Sequence, residues 1–443
     1  TVTVTDLKYC YPNISKDVKD KDASNDLGTV DDPIIAKKKS YAANLTTDNE
    51  TFTYKILYRM NNAPLEFDKN AMLVDRLDYR IAYKNAYVTD VDGNRIDKFT
   101  IKTKDVVDVA TGQTQTVVYA IIPENPGVNT ETIKEGQYGN HKFKRYYLVV
   151  EAQLKDEYSF DKNPDEYKKI LQENDGLGLM NQATILWNGS EDPVDPNAKT
   201  RRSNTVYVLP PVKTDIKKDV QSVEGTTGDY VKGQEQLYLS ARTQEYFYNV
   251  ESTWPGLADS YILSDTLVPE LEFVTAYGNG GTKITVNGKE VKSLTDKLVV
   301  TGSTVKLELT KADFTGRTIA RQIATANKGN NGPAVIKLTI KAKIKDGADL
   351  SKYAVGGQIK VPNKAQVELN GKPQESNEVY VTPDEPAPSK KINSTLDVLN
   401  TTKSDEAFEF NIQTKLPRDI QKYQSYKISD KLDSRLELTN QPA

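Results

Sequence analysis

The sequence is poor in the residues on which many catalytic and metal sites depend. Among 443 residues there are one cysteine, Cys10, one histidine, His141, three methionines and two tryptophans. A single cysteine cannot form an internal disulfide, whereas loop-rich secreted proteins usually carry cysteines in pairs. A single histidine excludes a multi-histidine metal site and leaves a histidine-based triad only one possible base. These scarcities disfavour disulfide scaffolds, histidine-dependent enzymes and metalloproteins.

Strong charge of one sign and long apolar runs are also missing. The 59 basic and 62 acidic residues leave a net charge of −3, so there is no basic footprint for nucleic acid. No run of 18 apolar residues predicts a membrane-spanning helix. We find neither a secretion signal nor a sorting tail, and the first residues, TVTVT, resemble a strand. We therefore expect the chain to be a piece of a longer precursor.

What the chain does contain favours β-structure. It has 25 tyrosines, and segments such as FTYKILY, QLYLSA and FEFNIQ alternate with period two. Turn dipeptides at Asp92-Gly93, Asn287-Gly288 and Asn370-Gly371 indicate tight hairpins. Short helices are expected at 164–173, capped by Asn163, and around 318–326. The fold class predicted is all-β, with tandem β-sandwiches, long insertions and a few short helices.

Three short patterns recur in the same order, and this recurrence defines units. Each unit begins with a lysine two residues before an apolar residue, followed by Asp-x-Leu behind an apolar residue. Two units continue with Asn-x-Ala and a closing Ser-Asn-x-Val-Tyr-Val. The members are Lys39, Lys218 and Lys390; Asp75, Asp265 and Asp430; Asn181 and Asn363; and the closing segments 203–208 and 376–381.

The spacings of these patterns agree with one another. The lysines lie 179 and 172 residues apart, and the two asparagines lie 182 apart. Proline runs at 210–211 and 383–388 separate the units as stiff spacers. The predicted domains are 33–210, 211–384 and an incomplete third unit, 385–443. Residues 1–32 are assigned to the end of a preceding unit and a charged linker.

Strand phase turns the repeated polar residues towards the apolar face. Asp265 is in phase with Leu263 and Leu267, and Asn363 is in phase with Val361 and Ala365. Asp75, Asp430 and Asn181 have the same kind of apolar neighbours. Phase also favours Lys39 and Lys218, although Lys37, Lys38 and Lys217 stay open as alternatives.

Burying a lysine, an aspartate and an asparagine costs several kcal/mol for each group unless the groups satisfy one another. Desolvation lowers the pKa of a lysine and raises that of an aspartic acid, so the amine can become nucleophilic and the acid can carry protons. Holding the lysine amine in contact with the asparagine side chain supplies the effective molarity that an unreactive amide needs in order to react. The predicted product is a Lys–Asn isopeptide bond. The simpler alternative is a buried Lys–Asp salt bridge with an asparagine partner and no covalent bond.

The order of these motifs resembles the isopeptide-forming domains of fimbrial and surface proteins of Gram-positive bacteria, which are immunoglobulin-like sandwiches of the collagen-adhesin type. The resemblance covers 33–210, 211–384 and part of 385–443. It implies a bond from Lys39 to Asn181 with Asp75 as catalyst, and a bond from Lys218 to Asn363 with Asp265 as catalyst. Lys390 and Asp430 would begin a third site whose asparagine is not in this chain.

The resulting functional hypothesis is a structural stalk segment of an extracellular, cell-wall-anchored adhesin or pilus protein of a Gram-positive bacterium. It predicts no enzyme activity beyond autocatalytic cross-linking, no cofactor and no metal. Neighbouring pilin subunits, joined through sortase linkage, are the expected partners. The alternative is an adhesive module that binds a host extracellular protein or glycan through long insertions such as 155–178. A secreted glycosidase is disfavoured because no paired carboxylates lie in a glycine- or tryptophan-rich context.

Overall fold

The computed structural model describes residues 13–19, 26–31, 39–61, 71–128, 131–134, 140–223, 230–274, 281–414, 416, 420 and 424–439. These residues form a β-rich chain of successive immunoglobulin-like units with five short α-helices. The fold class predicted from alternation and turn signals is confirmed.

The first unit is a sandwich of two sheets. Its strands are β1 (Asn13–Lys19), β2 (Asp26–Asp31), β3 (Lys39–Asn44), β4 (Phe52–Asn61), β5 (Met72–Arg76), β6 (Ile81–Thr89), β7 (Thr100–Val107), β8 (Thr114–Ile121), β9 (Glu131–Lys134), β10 (Asn140–Leu154), β11 (Leu179–Trp187) and β12 (Lys199–Leu209). One sheet has the order β1-β4-β10-β6, with β9 also paired to β10. The other has the order β2-β3-β12-β11-β5-β8-β7.

The start of the first unit differs from the predicted boundary at residue 33. Strand β1 pairs antiparallel with β4 along its whole length, from Asn13↔Arg59 to Lys19↔Thr53. Strand β2 pairs with β3 in the opposite sheet. Within residues 1–32, the described strands therefore belong to the first sandwich, not to a preceding unit and a linker. Cys10 lies outside the described residues.

The second unit repeats the sandwich with one layer divided. Its strands are β13 (Ile216–Gln221), β14 (Tyr230–Val231), β15 (Gln236–Tyr238), β16 (Tyr246–Thr253), β17 (Ser260–Thr266), β18 (Leu271–Phe273), β19 (Lys283–Val286), β20 (Lys289–Glu290), β21 (Leu298–Thr301), β22 (Thr304–Thr310), β23 (Val335–Ile344), β24 (Ala354–Val355), β25 (Gln358–Ile359), β26 (Val361–Asn363), β27 (Ala365–Leu369), β28 (Lys372–Glu375) and β29 (Val379–Thr382).

One layer of this unit has the order β13-β16-β23-β19-β20, with β18 also paired to β23. The other consists of the sheets β14-β15-β29-β26 and β21-β22-β17-β27-β28. Strands β26 and β27 are interrupted only at Lys364, so they connect these two sheets. The asparagine of the motif ends β26, and the alanine two residues later begins β27.

Two predicted hairpins show how local sequence sets the register. Asn287 and Gly288 have φ values of 49° and 72°, and Asn370 and Gly371 have values of 50° and 76°. Positive φ at both central residues defines the turn that matches the twist of paired strands, and asparagine followed by glycine tolerates it best. These turns join β19 to β20 and β27 to β28.

The helices are α1 (Pro164–Ile170), α2 (Glu173–Gly176), α3 (Lys292–Thr295), α4 (Lys311–Thr315) and α5 (Thr318–Asn327). Asn163 caps α1 by accepting a hydrogen bond from the Glu166 amide at 3.2 Å. None of the described helices is long and apolar enough to cross a membrane.

Helices α2 and α5 meet where the first two units join. Arg317, which precedes α5, is fully buried and donates to the carbonyl oxygen of Asp175 at 2.5 Å. Gly256 packs so closely on Gly176 that a Cβ there would collide with the Gly176 carbonyl. A continuous hydrophobic core extends through both units, which supports the inner faces on which the site residues lie.

The third unit begins with β30 (Ser389–Ile392) and β31 (Phe410–Gln413), which pair antiparallel. Lys390 stands opposite Ile412 in this pairing.

Candidate functional site

In the second unit, three polar side chains meet between the two layers. Lys218 comes from β13, while Asp265 on β17 and Asn363 on β26 come from the opposite layer. The Lys218 ammonium donates to one carboxylate oxygen of Asp265, and both side chains are fully buried. Asn363 Nδ2 donates to the other carboxylate oxygen at 3.0 Å. The aspartate thus bridges the amine and the carboxamide.

The first unit contains a similar arrangement around Asp75, except that the Asn181 carboxamide has no hydrogen-bond partner among the described residues. Lys16 Nζ lies 2.6 Å from Asp75 Oδ1, and neither side chain is exposed. Ala183 stands opposite Asp75 in the β11–β5 register, as Ala365 stands opposite Asp265 in the β27–β17 register. Asn181 precedes Ala183 by two residues and is 3% exposed. It therefore has the sheet position that Asn363 has in the second unit.

The lysine beside Asp75 is Lys16, where the motif spacing predicted Lys39. Lys39 begins β3 and stands opposite Asp31, in the sheet that does not contain β4. Lys37 and Lys38 lie outside the described residues. A local signal for Lys16 was present, because Ile14-Ser15-Lys16-Asp17-Val18 matches Ile216-Lys217-Lys218-Asp219-Val220 at four of five positions. In the second unit, Lys217 is exposed and Lys218 is buried, as strand phase favoured.

An aromatic ring lies under each of the three lysines, a feature that sequence reasoning missed. The ammonium-to-centroid distances are 4.1 Å for Lys16 over Tyr54, 4.3 Å for Lys218 over Tyr248 and 3.8 Å for Lys390 over Phe410. Each ring belongs to the residue that pairs, on the neighbouring strand, with the position two residues after the lysine. The signal was an aromatic residue on the strand that pairs with the lysine strand.

Burial changes the acid–base properties of the two enclosed lysines. Desolvation lowers the pKa of Lys16 to about 8, although the charge and hydrogen bond of Asp75 oppose this shift. Desolvation also lowers the pKa of Lys218, against the same kind of opposition from Asp265. An amine with a lowered pKa is more often neutral near physiological pH, which is the form that can attack a carbonyl.

The neighbouring tyrosines remain protonated. Desolvation, followed by the charge of Asp75, raises the pKa of Tyr54 well above its ordinary value. Desolvation is also the largest cause of the raised pKa of Tyr248. Each phenol therefore forms part of a neutral wall around the buried lysine.

In the third unit, Lys390 and Asp430 form a pair that is partly exposed to solvent. Their Nζ–Oδ2 distance is 2.6 Å, but their side chains are 38% and 27% exposed. The pairing that the repeat predicted is present, whereas the enclosure of the first two sites is not.

The enclosed groups are suited to amide exchange. Each site contains a desolvated amine, a carboxylate in contact with it and a carboxamide from the same layer as the carboxylate. Asn363 Oδ1 is buried and has no hydrogen-bond partner among the described residues, so it could accept a proton from the acid form of the carboxyl group. Within the described ranges, no cluster of three histidine, cysteine, aspartate or glutamate side chains could hold a metal ion.

Comparison with known proteins gives one close sequence relative. No protein-family model matches the chain. Platelet adherence protein A of Streptococcus gordonii is 40% identical over an alignment of 455 positions, which covers all of this chain and 12% of that protein.

Similar solved structures include Gram-positive adhesin domains with immunoglobulin-like folds. The C-terminal domain of the AgI/II polypeptide BspA of Streptococcus agalactiae is 14% identical, with coverage of 83% of this chain and 99% of that one and a TM-score of 0.30. The collagen adhesin of Staphylococcus aureus is 11% identical, with coverage of 77% and 91% and a TM-score of 0.23. The sequence match is the informative one: this chain is similar along its full length to about one eighth of a streptococcal platelet adherence protein.

Proposed function

We propose that this chain is a structural stalk segment of a Gram-positive cell-surface adhesin or pilus protein, in which each complete sandwich forms one internal isopeptide bond. The bonds join Lys16 to Asn181 and Lys218 to Asn363, with Asp75 and Asp265 as catalysts. The observation that carries the proposal is a fully buried Lys–Asp pair beside an inward-facing asparagine, built twice from equivalent strands. A buried pair kept only for stability would gain little over apolar residues of similar volume.

The reaction is an exchange of one amide for another. The neutral lysine Nζ attacks the asparagine Cγ, the Nζ–Cγ bond forms, and the Cγ–Nδ2 bond breaks. A proton passes from Nζ to Nδ2 through the aspartic acid, and ammonia leaves. The carboxyl group ends in the state in which it began, so the side chain acts as a catalyst. No cofactor enters this balance.

The expected consequence is a covalent link between the two layers of each sandwich. Strands β1 and β13 lie in one layer, and the asparagine strands β11 and β26 lie in the other. Once bonded, the layers cannot separate, and the unfolded chain loses the freedom of a long loop, as with a disulfide. Unlike a disulfide, an amide is not reducible, which suits an extracellular role and a sequence with one cysteine.

Lys390 and Asp430 fit the same proposal as the beginning of a third site. The asparagine of that site would come from residues outside the given sequence.

Intact mass tests the proposal, because each bond removes one ammonia, about 17 Da. The purified chain should be lighter than its sequence by two ammonias. Lys16→Met and Lys218→Met should each restore one ammonia, since methionine fills a similar volume but has no amine. Lys39→Met and Lys217→Met are the matched controls and should keep both losses.

Peptide mapping would locate each bond as a branched peptide that contains both strands. A wild-type mass equal to the mass calculated from the sequence would show that the two sites are salt-bridge networks without a covalent bond. A loss abolished by Lys39→Met but retained in Lys16→Met would assign the first bond to Lys39 instead.

A binding role is the second candidate, and the similarity to a platelet adherence protein favours it. As a stalk, this segment would space an adhesive region of the intact protein from the cell surface. As a binding module, the segment itself would bind a host protein or glycan. Neighbouring subunits, joined through sortase linkage, are proposed partners for a pilus. Saturable binding of the purified chain to platelets, abolished by excess unlabelled chain, would instead place an adhesive surface within this segment.

A further inference from the structure

The Ser-Asn dipeptide that opens the closing Ser-Asn-x-Val-Tyr-Val motif makes the same contacts in both complete units. In the first unit, Lys16 N–H donates to Asn204 Oδ1 at 2.9 Å, and Asn204 Nδ2 donates to the Lys16 carbonyl oxygen at 2.8 Å. In the second unit, both hydrogen bonds between the Lys218 main chain and the Asn377 side chain measure 2.9 Å. The asparagine amide thus pairs with the lysine main chain as a neighbouring strand would.

The serine of the dipeptide contacts the other reactant strand. Ser203 Oγ accepts a hydrogen bond from the Ala183 amide at 3.0 Å, and Ser376 Oγ accepts one from the Ala365 amide at 2.9 Å. Each serine hydroxyl also donates at 2.7 Å to the carbonyl oxygen of the asparagine that follows it. These alanines lie two residues after Asn181 and Asn363.

The serine contact coincides with an irregularity in the asparagine strand. The β11–β12 register shifts between Gln182 and Thr184, and the equivalent strand of the second unit is interrupted at Lys364. A bulge leaves a main-chain group unpaired, and here the serine hydroxyl replaces the missing partner. The irregularity is therefore fixed in place directly beside the reacting carboxamide.

The asparagine contact falls on an open sheet edge. Among the described strands, β1 and β13 are each the first strand of their sheet and are paired on one side only, with β4 and β16. On the unpaired side, an edge strand has free N–H and C=O groups. Asn204 and Asn377 occupy that side at the lysine itself, and they come from the layer that carries the reacting asparagine.

We infer that Ser203-Asn204 and Ser376-Asn377 are positioning residues for isopeptide formation, which hold the main chains of the nucleophile and the electrophile against each other. This inference rests on the proposed cross-linking function. The asparagine holds the lysine strand, the serine holds the carboxamide strand, and the two residues are adjacent in the chain. Their spacing thereby fixes how the amine meets Cγ, and small misplacements are costly for a reaction that depends on proximity.

The two units should differ in how strongly they depend on this contact. Asn204 is half-buried, whereas Asn377 is exposed, so water can more readily replace the Asn377 hydrogen bonds. Each alanine variant loses two hydrogen bonds of modest net free energy. We therefore expect isopeptide formation at Lys16 to be about tenfold slower in Asn204→Ala, and formation at Lys218 to be about threefold slower in Asn377→Ala.

The experiment follows bond formation in the full chain made by cell-free synthesis. Samples are taken over time, treated briefly with protease to remove unfolded chains, quenched in acid and analysed for the two branched peptides. In each variant the other unit is the internal control and should bond at the wild-type rate. Asn44→Ala removes another half-buried asparagine of the first unit, whose Nδ2 donates to the Leu257 carbonyl oxygen, and should slow neither bond.

A positioning role predicts a slower rate within the protease-resistant fraction, by the same factor at every pH between about 7 and 9. Asn204→Gln and Asn377→Gln keep the amide but lengthen the side chain by one methylene, and should recover part of the rate if they reach the lysine main chain. Wild-type rates in the folded fractions of the alanine and glutamine variants would overturn the inference, even if the yield of folded protein falls. Absence of both bonds in the wild-type chain would instead refute the proposed function.

Discussion

The second and third lysine sites contain the same contacts in different surroundings. Lys218 and Lys390 each pair with an aspartate and lie over an aromatic ring, at centroid distances of 4.3 Å and 3.8 Å. The Lys218 pair is fully buried, whereas the side chains of Lys390 and Asp430 are 38% and 27% exposed. The contacts therefore do not depend on complete enclosure.

The comparison separates what local pairing provides from what the complete sandwich provides. Lysine and ring lie on paired strands in both units, β13 with β16 and β30 with β31. The register of two strands is enough to place the ring under the amine. Burial requires the second layer, and burial is what lowers the pKa of Lys218. A Lys–Asp pair without enclosure should remain an ordinary ion pair.

Replacing the aspartates should give the largest contrast between the two sites. Asp265→Ala should abolish the Lys218 bond and leave a buried ammonium without its counter-charge, at a cost of about 3–5 kcal/mol in unfolding free energy. Asp430→Ala removes a partly exposed ion pair and should cost less than about 1 kcal/mol. Intact mass and denaturant unfolding measure both effects. Equal losses of stability would contradict the role assigned to burial.

Replacing the ring tests which part of it matters. Tyr248→Ala should open a cavity, destabilise the second unit by about 3–5 kcal/mol and slow bond formation. Tyr248→Phe should bond at nearly the wild-type rate, since Phe410 supplies a ring face without a hydroxyl in the third unit. A time course of the branched peptide distinguishes the variants. A rate in Tyr248→Phe as low as in Tyr248→Ala would assign the effect to the hydroxyl group.

A smaller effect is expected in the pH dependence of a chain that cannot bond. In Asn181→Ala, Lys16 keeps a pKa of about 8 when folded, below its ordinary value of 10.5. The unfolded chain then binds more protons above pH 8, so stability should rise between pH 8 and about 9.5. The slope from this residue is at most about 1.4 kcal/mol per pH unit.

The matched control for this titration is the double variant Asn181→Ala with Lys16→Met. It has the same truncated asparagine but no amine, so the difference between the two unfolding curves isolates Lys16. A difference that stays constant from pH 7 to 9.5 would show that the folded and unfolded pKa values of Lys16 coincide.

Strand phase was the most informative sequence signal for the interior. Asp75, Asp265, Asn181 and Asn363 are at most 3% exposed, on the inward face that alternation indicates. Asparagine-glycine turns also marked hairpins correctly, because few other dipeptides tolerate positive φ at both central positions. Both signals are local, so a single sequence contains them.

The choice of Lys39 shows where such reasoning stops. It relied on equal spacing between units, but Lys16 and Lys218 are 202 residues apart while Asn181 and Asn363 are 182 apart. Insertions change the spacing of strands without changing their pairing. The contact of Lys16 with Asp75 across 59 residues depends on layer packing, which periodicity does not encode. The match of the Lys16 segment to the Lys218 segment was the better guide.

The position of the first proposed bond determines how the stalk segment would respond to a pulling force. Lys16 is on the first described strand of its unit, and Asn181 is on the strand before the last. A force that enters at β1 and leaves through β12 would pass across the amide and bypass the 164 residues between its ends. At roughly 3.3–3.6 Å per extended residue, about 550 Å of contour length would stay inaccessible in this unit. The stalk segment would therefore keep a nearly constant length under load, and the distance between a cell and its point of attachment would not increase by unfolding of this unit.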